Sequence, residues 1–125
     1  MSNQKSMEDY LESILILKKQ KGSCRSVELA AYMNFSKPSI SIAIGKLEAS
    51  GHVMRSPDGQ LNLTPLGESV AMHTLEKHRF LMELFQKIGV SEETAREDAC
   101  NLEHSLSNET YEKLRLWIKR LEENQ

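Results

Sequence analysis

One change of period constrains this chain more than any other feature. His52-Val53-Met54-Arg55 and Gln60-Leu61-Asn62-Leu63 are short extended runs, and Pro57-Asp58-Gly59 between them is turn chemistry. On both sides of this stretch the apolar residues recur at helical spacing. The chain is therefore expected to carry a single two-stranded ribbon set among helices.

Three helices are expected before the ribbon. Ser6 can cap the first, with Asp9 three residues on and Met7, Tyr10, Leu11, Ile14 and Leu17 on its apolar side. Gly22 stops it, Ser26 caps a short second helix over 27–33, and Ser36 caps a third with Pro38 in its first turn. Ile40, Ala43, Ile44 and Leu47 form the third helix's stripe, and Gly51 ends it. After the ribbon, Thr64-Pro65 opens a long helix to about Ile88, with Gly89 as its stop. Ser91 caps the next, with Glu92 and Glu93 in the first turn, and Ser107 or Asn108 opens a last helix to about Glu123. The expected fold is mostly α: a winged helix-turn-helix over residues 1–64, then a helical domain over 65–125 led by a long linking helix, 65–88.

A chain of 125 residues holds one ordinary domain or two very small ones. Two cysteines, Cys24 and Cys100, make no disulfide framework and point to a reducing cytoplasm. The N-terminal residues carry no apolar targeting stretch and no window approaches a membrane span, so no membrane partner is expected. The net charge of −2 conceals an asymmetry: residues 1–64 carry +2 and residues 65–125 carry −4. A basic-leaning half joined to an acidic half suggests two jobs.

The first job reads as binding double-stranded DNA. The third helix is the candidate recognition helix, and Ser36, Lys37, Ser39, Ser41 and Lys46 are its polar residues. Small polar side chains let a helix approach the major groove, and lysines meet phosphates. Arg25, before the second helix, and Arg55, on the wing, are placed to add backbone contacts. The bland alternative is a small interaction module with a solvated lysine face. Helix order, helix lengths and Pro38 favour DNA.

The second job rests on Cys100-Asn101-Leu102-Glu103-His104. A thiol, a carboxylate and an imidazole at i, i+3 and i+4 of one helix converge to about 5–6 Å between Cβ atoms, and all three are metal-ligand types. The core stripe of that helix is expected to be Ala95, Ala99, Leu102 and Leu106. Alone, the triplet reads more readily as a small buried thiol and two surface polar residues. Asp9 and Glu12 place two carboxylates on one face of the first helix, although Asp9 also fits a capping box and Glu12 a solvated position. His78 and His73 both lie on the long helix, and spacing does not separate them. His52, on the wing, is a poor partner.

Three separated segments resemble one family. Ser6-Met7-Glu8-Asp9-Tyr10-Leu11-Glu12, Lys77-His78-Arg79-Phe80-Leu81 and Leu102-Glu103-His104-Ser105-Leu106-Ser107 are similar, in order and spacing, to the metal motifs of the diphtheria-toxin-repressor family, nearest to its manganese-responsive branch. The resemblance runs from about residue 6 to residue 123. It implies a homodimeric, metal-activated repressor acting on a palindromic operator and on metal-uptake genes. It also implies Asp9, Glu12, His78, Cys100, Glu103 and His104 as the ligand set, which is what selects His78 over His73.

This chain mixes the family's two branches. Asp9 is the manganese-type residue, whereas Cys100 stands where manganese-type members carry Glu and iron-type members carry Cys. Met82 and Arg96 occupy the places of the iron branch's extra ligands, and no SH3-like third domain is expected within these residues. Oxygen donors suit Mn2+, while a thiolate shifts preference toward Fe2+, Co2+ or Zn2+. The expected cofactor is Mn2+ or Fe2+, with Co2+ or Zn2+ able to replace it in vitro. Leu114, Trp117, Ile118 and Leu121 are expected to divide between core and dimer interface. The alternative function is a winged-helix regulator answering to an organic ligand or a protein. An enzyme is not expected, since the His-Glu-x-x-His signature, a nucleophile and a cofactor loop are all missing.

Overall fold

A computed structural model describes residues 2–124 of the chain, with side chains from Ser6 onward. Six helices and one ribbon follow in order: α1 Ser2–Lys21, α2 Ser26–Met33, α3 Lys37–Ala49, β1 Val53–Arg55, β2 Leu61–Leu63, α4 Pro65–Lys87, α5 Glu92–Leu102 and α6 Asn108–Glu123. The chain forms two compact units, one up to Thr74 and one from Leu75 onward.

In the first unit, Leu11, Ile14 and Leu17 of α1 pack in a common core with Leu29, Ile40, Ile44, Leu47, Val53 and Leu61. β1 and β2 are antiparallel, with Val53 opposite Leu63 and Arg55 opposite Leu61. The ribbon is stitched to the start of α2 by Leu61 N–H donating to the Cys24 carbonyl and by Cys24 N–H donating to the Gln60 side chain. Asn34, at φ 60, closes α2 in the left-handed region. Ser36 caps α3, its hydroxyl accepting from Ser39 N–H at 3.2 Å. α4 leaves the ribbon at close quarters: a Cβ on Gly67 would lie 2.0 Å from the His52 carbonyl oxygen.

In the second unit the core is Leu81, Ala95, Ala99 and Tyr111. Phe80 meets Tyr111 edge-to-face, with centroids 5.6 Å apart. Ser91 and Ser107 cap α5 and α6 by accepting from Thr94 and Thr110 N–H. Trp117, Leu116 and Leu121 on α6 are exposed, while Leu114 and Ile118 are half-buried.

Three expectations are corrected. α1 extends back to Ser2, so Ser6 lies inside it and is not its cap; the polar residues before Ser6 contain no breaker. Ser26 is the first residue of α2 rather than its cap, which is Arg25, whose N–H donates to Glu28 Oε1 at 2.9 Å. α5 ends at Leu102 with Glu103 as its C-cap, so Glu103 and His104 lie in the turn that follows it. Glu103 N–H still donates to Ala99, but Ser105 and Leu106 both turn back to the Leu102 carbonyl, which ends the helix without a glycine.

Candidate metal centre and nucleic-acid interface

In the second unit, α4 and the end of α5 converge on a group of donors. His78, Cys100 and Glu103 each offer one ligand atom, all within 4.8 Å of one another. His78 Nδ1 lies 3.1 Å from Glu103 Oε2 and 3.8 Å from Cys100 Sγ. His104 Nε2 lies 3.2 Å from Glu103 Oε1. Glu103 keeps a helical backbone with its N–H on the Ala99 carbonyl, so it continues the inward line of Ala95 and Ala99, and its side chain is only 2 % exposed.

Burial reverses the simplest sequence reading. The thiol of Cys100 is exposed and the carboxylate of Glu103 is buried. Leu102, expected in the core stripe, is exposed, because the buried line runs from Ala95 and Ala99 to Glu103 at four-residue steps and leaves Leu102 to one side.

Glu103 also supplies a test of whether these residues fit a metal. Its Oε2 is buried and accepts no hydrogen bond, although an imidazole nitrogen stands 3.1 Å away. An unsatisfied buried acceptor costs about 1–3 kcal/mol, and more when charged. A cation in reach of that oxygen removes the penalty. An imidazole nitrogen, a thiol sulfur and carboxylate oxygen together suit a first-row divalent transition metal. The donors fit.

Asp9 and Glu12 lie one turn apart on α1, both half-buried, in the first unit. His73 and His52 are not part of the donor group in the second unit. Cys24, the other free cysteine, is fully buried in the first unit, and burial together with the nearby Glu28 carboxylate pushes its thiol up to about 11.

Lys77 is a contributor that sequence reading passed over. It is buried, and its Nζ donates to the Leu106 carbonyl at 3.0 Å while sitting 5.8 Å from the Tyr111 ring centroid. It thereby fastens α4 to the turn that carries Glu103 and His104. A signal was available: Ala71, Thr74, Lys77 and Leu81 follow the buried stripe of α4, so Lys77 occupies an interior register.

On the first unit, Lys37, Ser39, Ser41 and Lys46 are all exposed along α3. Ser36 serves as the α3 cap. Arg55 pairs with Glu48 at 3.6 Å. Arg25 donates from Nη1 to the Asp58 carbonyl at the tip of the ribbon, so it braces the wing.

The chain is matched by two family models: residues 4–61 by "Iron dependent repressor, N-terminal DNA binding domain" and residues 64–125 by "Iron dependent repressor, metal binding and dimerisation domain". It is 34% identical over 120 residues to an uncharacterised helix-turn-helix-type transcriptional regulator of Methanocaldococcus jannaschii, covering 94% of this chain and 96% of that one. It is 32% identical over 114 residues to the transcriptional regulator MntR of Escherichia coli O6:H1, covering 91% of this chain and 74% of that protein. Among solved structures it resembles the manganese regulator SloR, with TM-score 0.78 and 26% identity over 90% of this chain. It spans 53% of that structure's length, about half.

Proposed function

This chain belongs to the iron-dependent repressor family, and from that premise we propose that it represses metal-uptake genes when Mn2+ or Fe2+ is plentiful. One observation carries the reading: the buried, hydrogen-bond-deficient Glu103 oxygen amid His78, Cys100 and His104. A carboxylate held that way is prepared for a cation.

In this proposal His78, Cys100, Glu103 and His104 offer donors from the second unit, and Asp9 and Glu12 offer carboxylates from α1. When bound, the divalent ion supplies positive charge that offsets these acids. Without it, the carboxylates repel and the reading heads lose their fixed spacing. α3 enters the major groove, with Lys37, Ser39, Ser41 and Lys46 facing the duplex and Arg55 near its backbone. Ser36 and Arg25 act from behind, one capping α3 and the other holding the wing.

A homodimer on a palindromic operator needs two α3 helices separated by about 34–36 Å, one turn of DNA. The exposed Leu116, Trp117 and Leu121 of α6 support a dimer interface there. Metal and DNA then favour the same arrangement and tighten one another reciprocally, by a typical factor of about 5–150. The compartment proposed is the cytoplasm. Neither cysteine forms a disulfide, and among the described residues no helix is long and apolar enough to cross a membrane.

The deciding experiment is an anaerobic DNA-binding isotherm with Mn2+, Fe2+, Co2+ or Zn2+, on the wild type and on Cys100→Glu. Binding should require metal and be reversed by chelator, and Cys100→Glu should shift preference toward Mn2+. Equal binding in chelator and in metal refutes the repressor reading. Unchanged metal preference refutes the role assigned to the thiol.

A further inference from the structure

The part of α3 that projects furthest from the core carries no hydrogen-bonding side chain. Successive residues turn by about 100° around a helix. Ile40, Ile44 and Leu47 are buried, and the opposite line of the helix is Pro38, Ile42, Gly45 and Ala49, all exposed. Ser41 and Glu48 flank this line on one side, and Ser39 and Lys46 on the other.

Two features of the line leave it open to a partner from outside, although Ile42 also borders a groove with Met7 and Tyr10 of α1. Ile42 is a large aliphatic side chain left 64% exposed at its centre. Gly45 sits in mid-helix, where glycine is less stable than alanine. A Cβ added there would meet nothing within 4 Å, so no contact inside the chain requires its absence. A bare backbone next to a protruding aliphatic group fits a surface that comes close from outside.

We infer that Ile42 reads the C5-methyl group of a thymine in the operator, and that Gly45 supplies the clearance that lets the groove close on it. This inference rests on the DNA-binding reading above. Each base pair presents hydrogen-bonding groups in the major groove, but only thymine adds a methyl, and an aliphatic side chain recognises it. Ile42 cannot pair with the hydrogen-bonding edges of the other bases. Ser39, Ser41 and Lys46 on the flanks hold the helix in place, and the aliphatic centre discriminates.

Uracil tests this with the native protein, because it is thymine without the methyl. The probe is a duplex enriched from random-sequence DNA by the intact chain with Mn2+, resynthesised with single thymines replaced by uracil. Burying one methyl is worth about four-fold in affinity, so one position in each half-site should lose about that factor. Replacing both should cost about fifteen-fold. Ile42→Ala should bind the thymine and uracil duplexes equally, with its circular dichroism and Mn2+ binding intact. Gly45→Ala should melt at a higher temperature and bind the duplex more weakly. Uracil tolerated at every position, or thymine preference persisting in Ile42→Ala, overturns the inference while leaving the repressor reading standing. Failure to enrich any duplex with metal overturns both.

Discussion

Glu103→Gln isolates the stored cost of the metal site. The substitution keeps the shape of the side chain, removes its charge and exchanges one acceptor oxygen for an amide that donates. In the wild type, Oε2 is buried without a donor and His78 Nδ1 lies 3.1 Å away. A glutamine amide in that place can donate to the imidazole nitrogen. Relief of one unsatisfied buried acceptor is worth about 1–3 kcal/mol. For a chain of this size each kcal/mol moves the melting midpoint by roughly 3–6 °C. In chelator, then, the variant should melt several degrees above the wild type. With Mn2+ at about 100 times its dissociation constant the wild type should gain about 2.7 kcal/mol, and the variant much less. The gap between the two melting curves should narrow or reverse. Differential scanning calorimetry with and without Mn2+ reads both effects. A variant that melts below the wild type in chelator refutes the stored-cost reasoning, and one that gains as much from Mn2+ refutes the assignment of Glu103 as a donor.

Three further outcomes follow from the geometry. Gly67→Ala brings a methyl to 2.0 Å from the His52 carbonyl oxygen, backbone against backbone; overpacking of this kind costs about 1–3 kcal/mol, to be seen as a lower urea midpoint. Lys77→Met removes the hydrogen bond to the Leu106 carbonyl, and loosening a ligand's support lowers metal affinity by roughly ten-fold, measurable by calorimetry with helicity unchanged. The Cys24 thiol titrates near 11 when folded, against 9.0 for an ordinary thiol. The folded state thus keeps its proton longer, so this contribution is complete below about pH 9 and is lost as pH rises toward 11. Urea stability of the wild type should fall over that range more steeply than that of Cys24→Ala.

Most element boundaries were legible because the chain marks them chemically. Ser36, Ser91 and Ser107 cap their helices, and Gly22, Gly51 and Gly89 follow helix ends with positive φ. The end of α5 was not legible. Glu103 terminates it in an ordinary right-handed conformation, so no residue type announces the stop. The reversed burial of Cys100 and Glu103 has another origin: Glu103 keeps the helical phase and follows Ala95 and Ala99 on the buried line, while Cys100 lies off it. Periodicity assigns side chains to faces only while a helix continues, and tertiary packing decides which face is covered. Lys77 went unread because a lysine on an apolar stripe is ordinarily taken as solvated. Here a carbonyl at the end of a turn and an aromatic ring give its ammonium a place to be buried.

The exposure of Cys100 beside a buried Glu103 has a kinetic meaning. A cage closed on every side would hold an ion for long periods and record past abundance. The site proposed above, deep at its carboxylate and open at its thiol, would give an ion a short route back to solvent. Occupancy can then follow the free metal concentration on the timescale of its own exchange. In the proposed site, the accessible thiol would set the dwell time and the buried carboxylate the depth of the well.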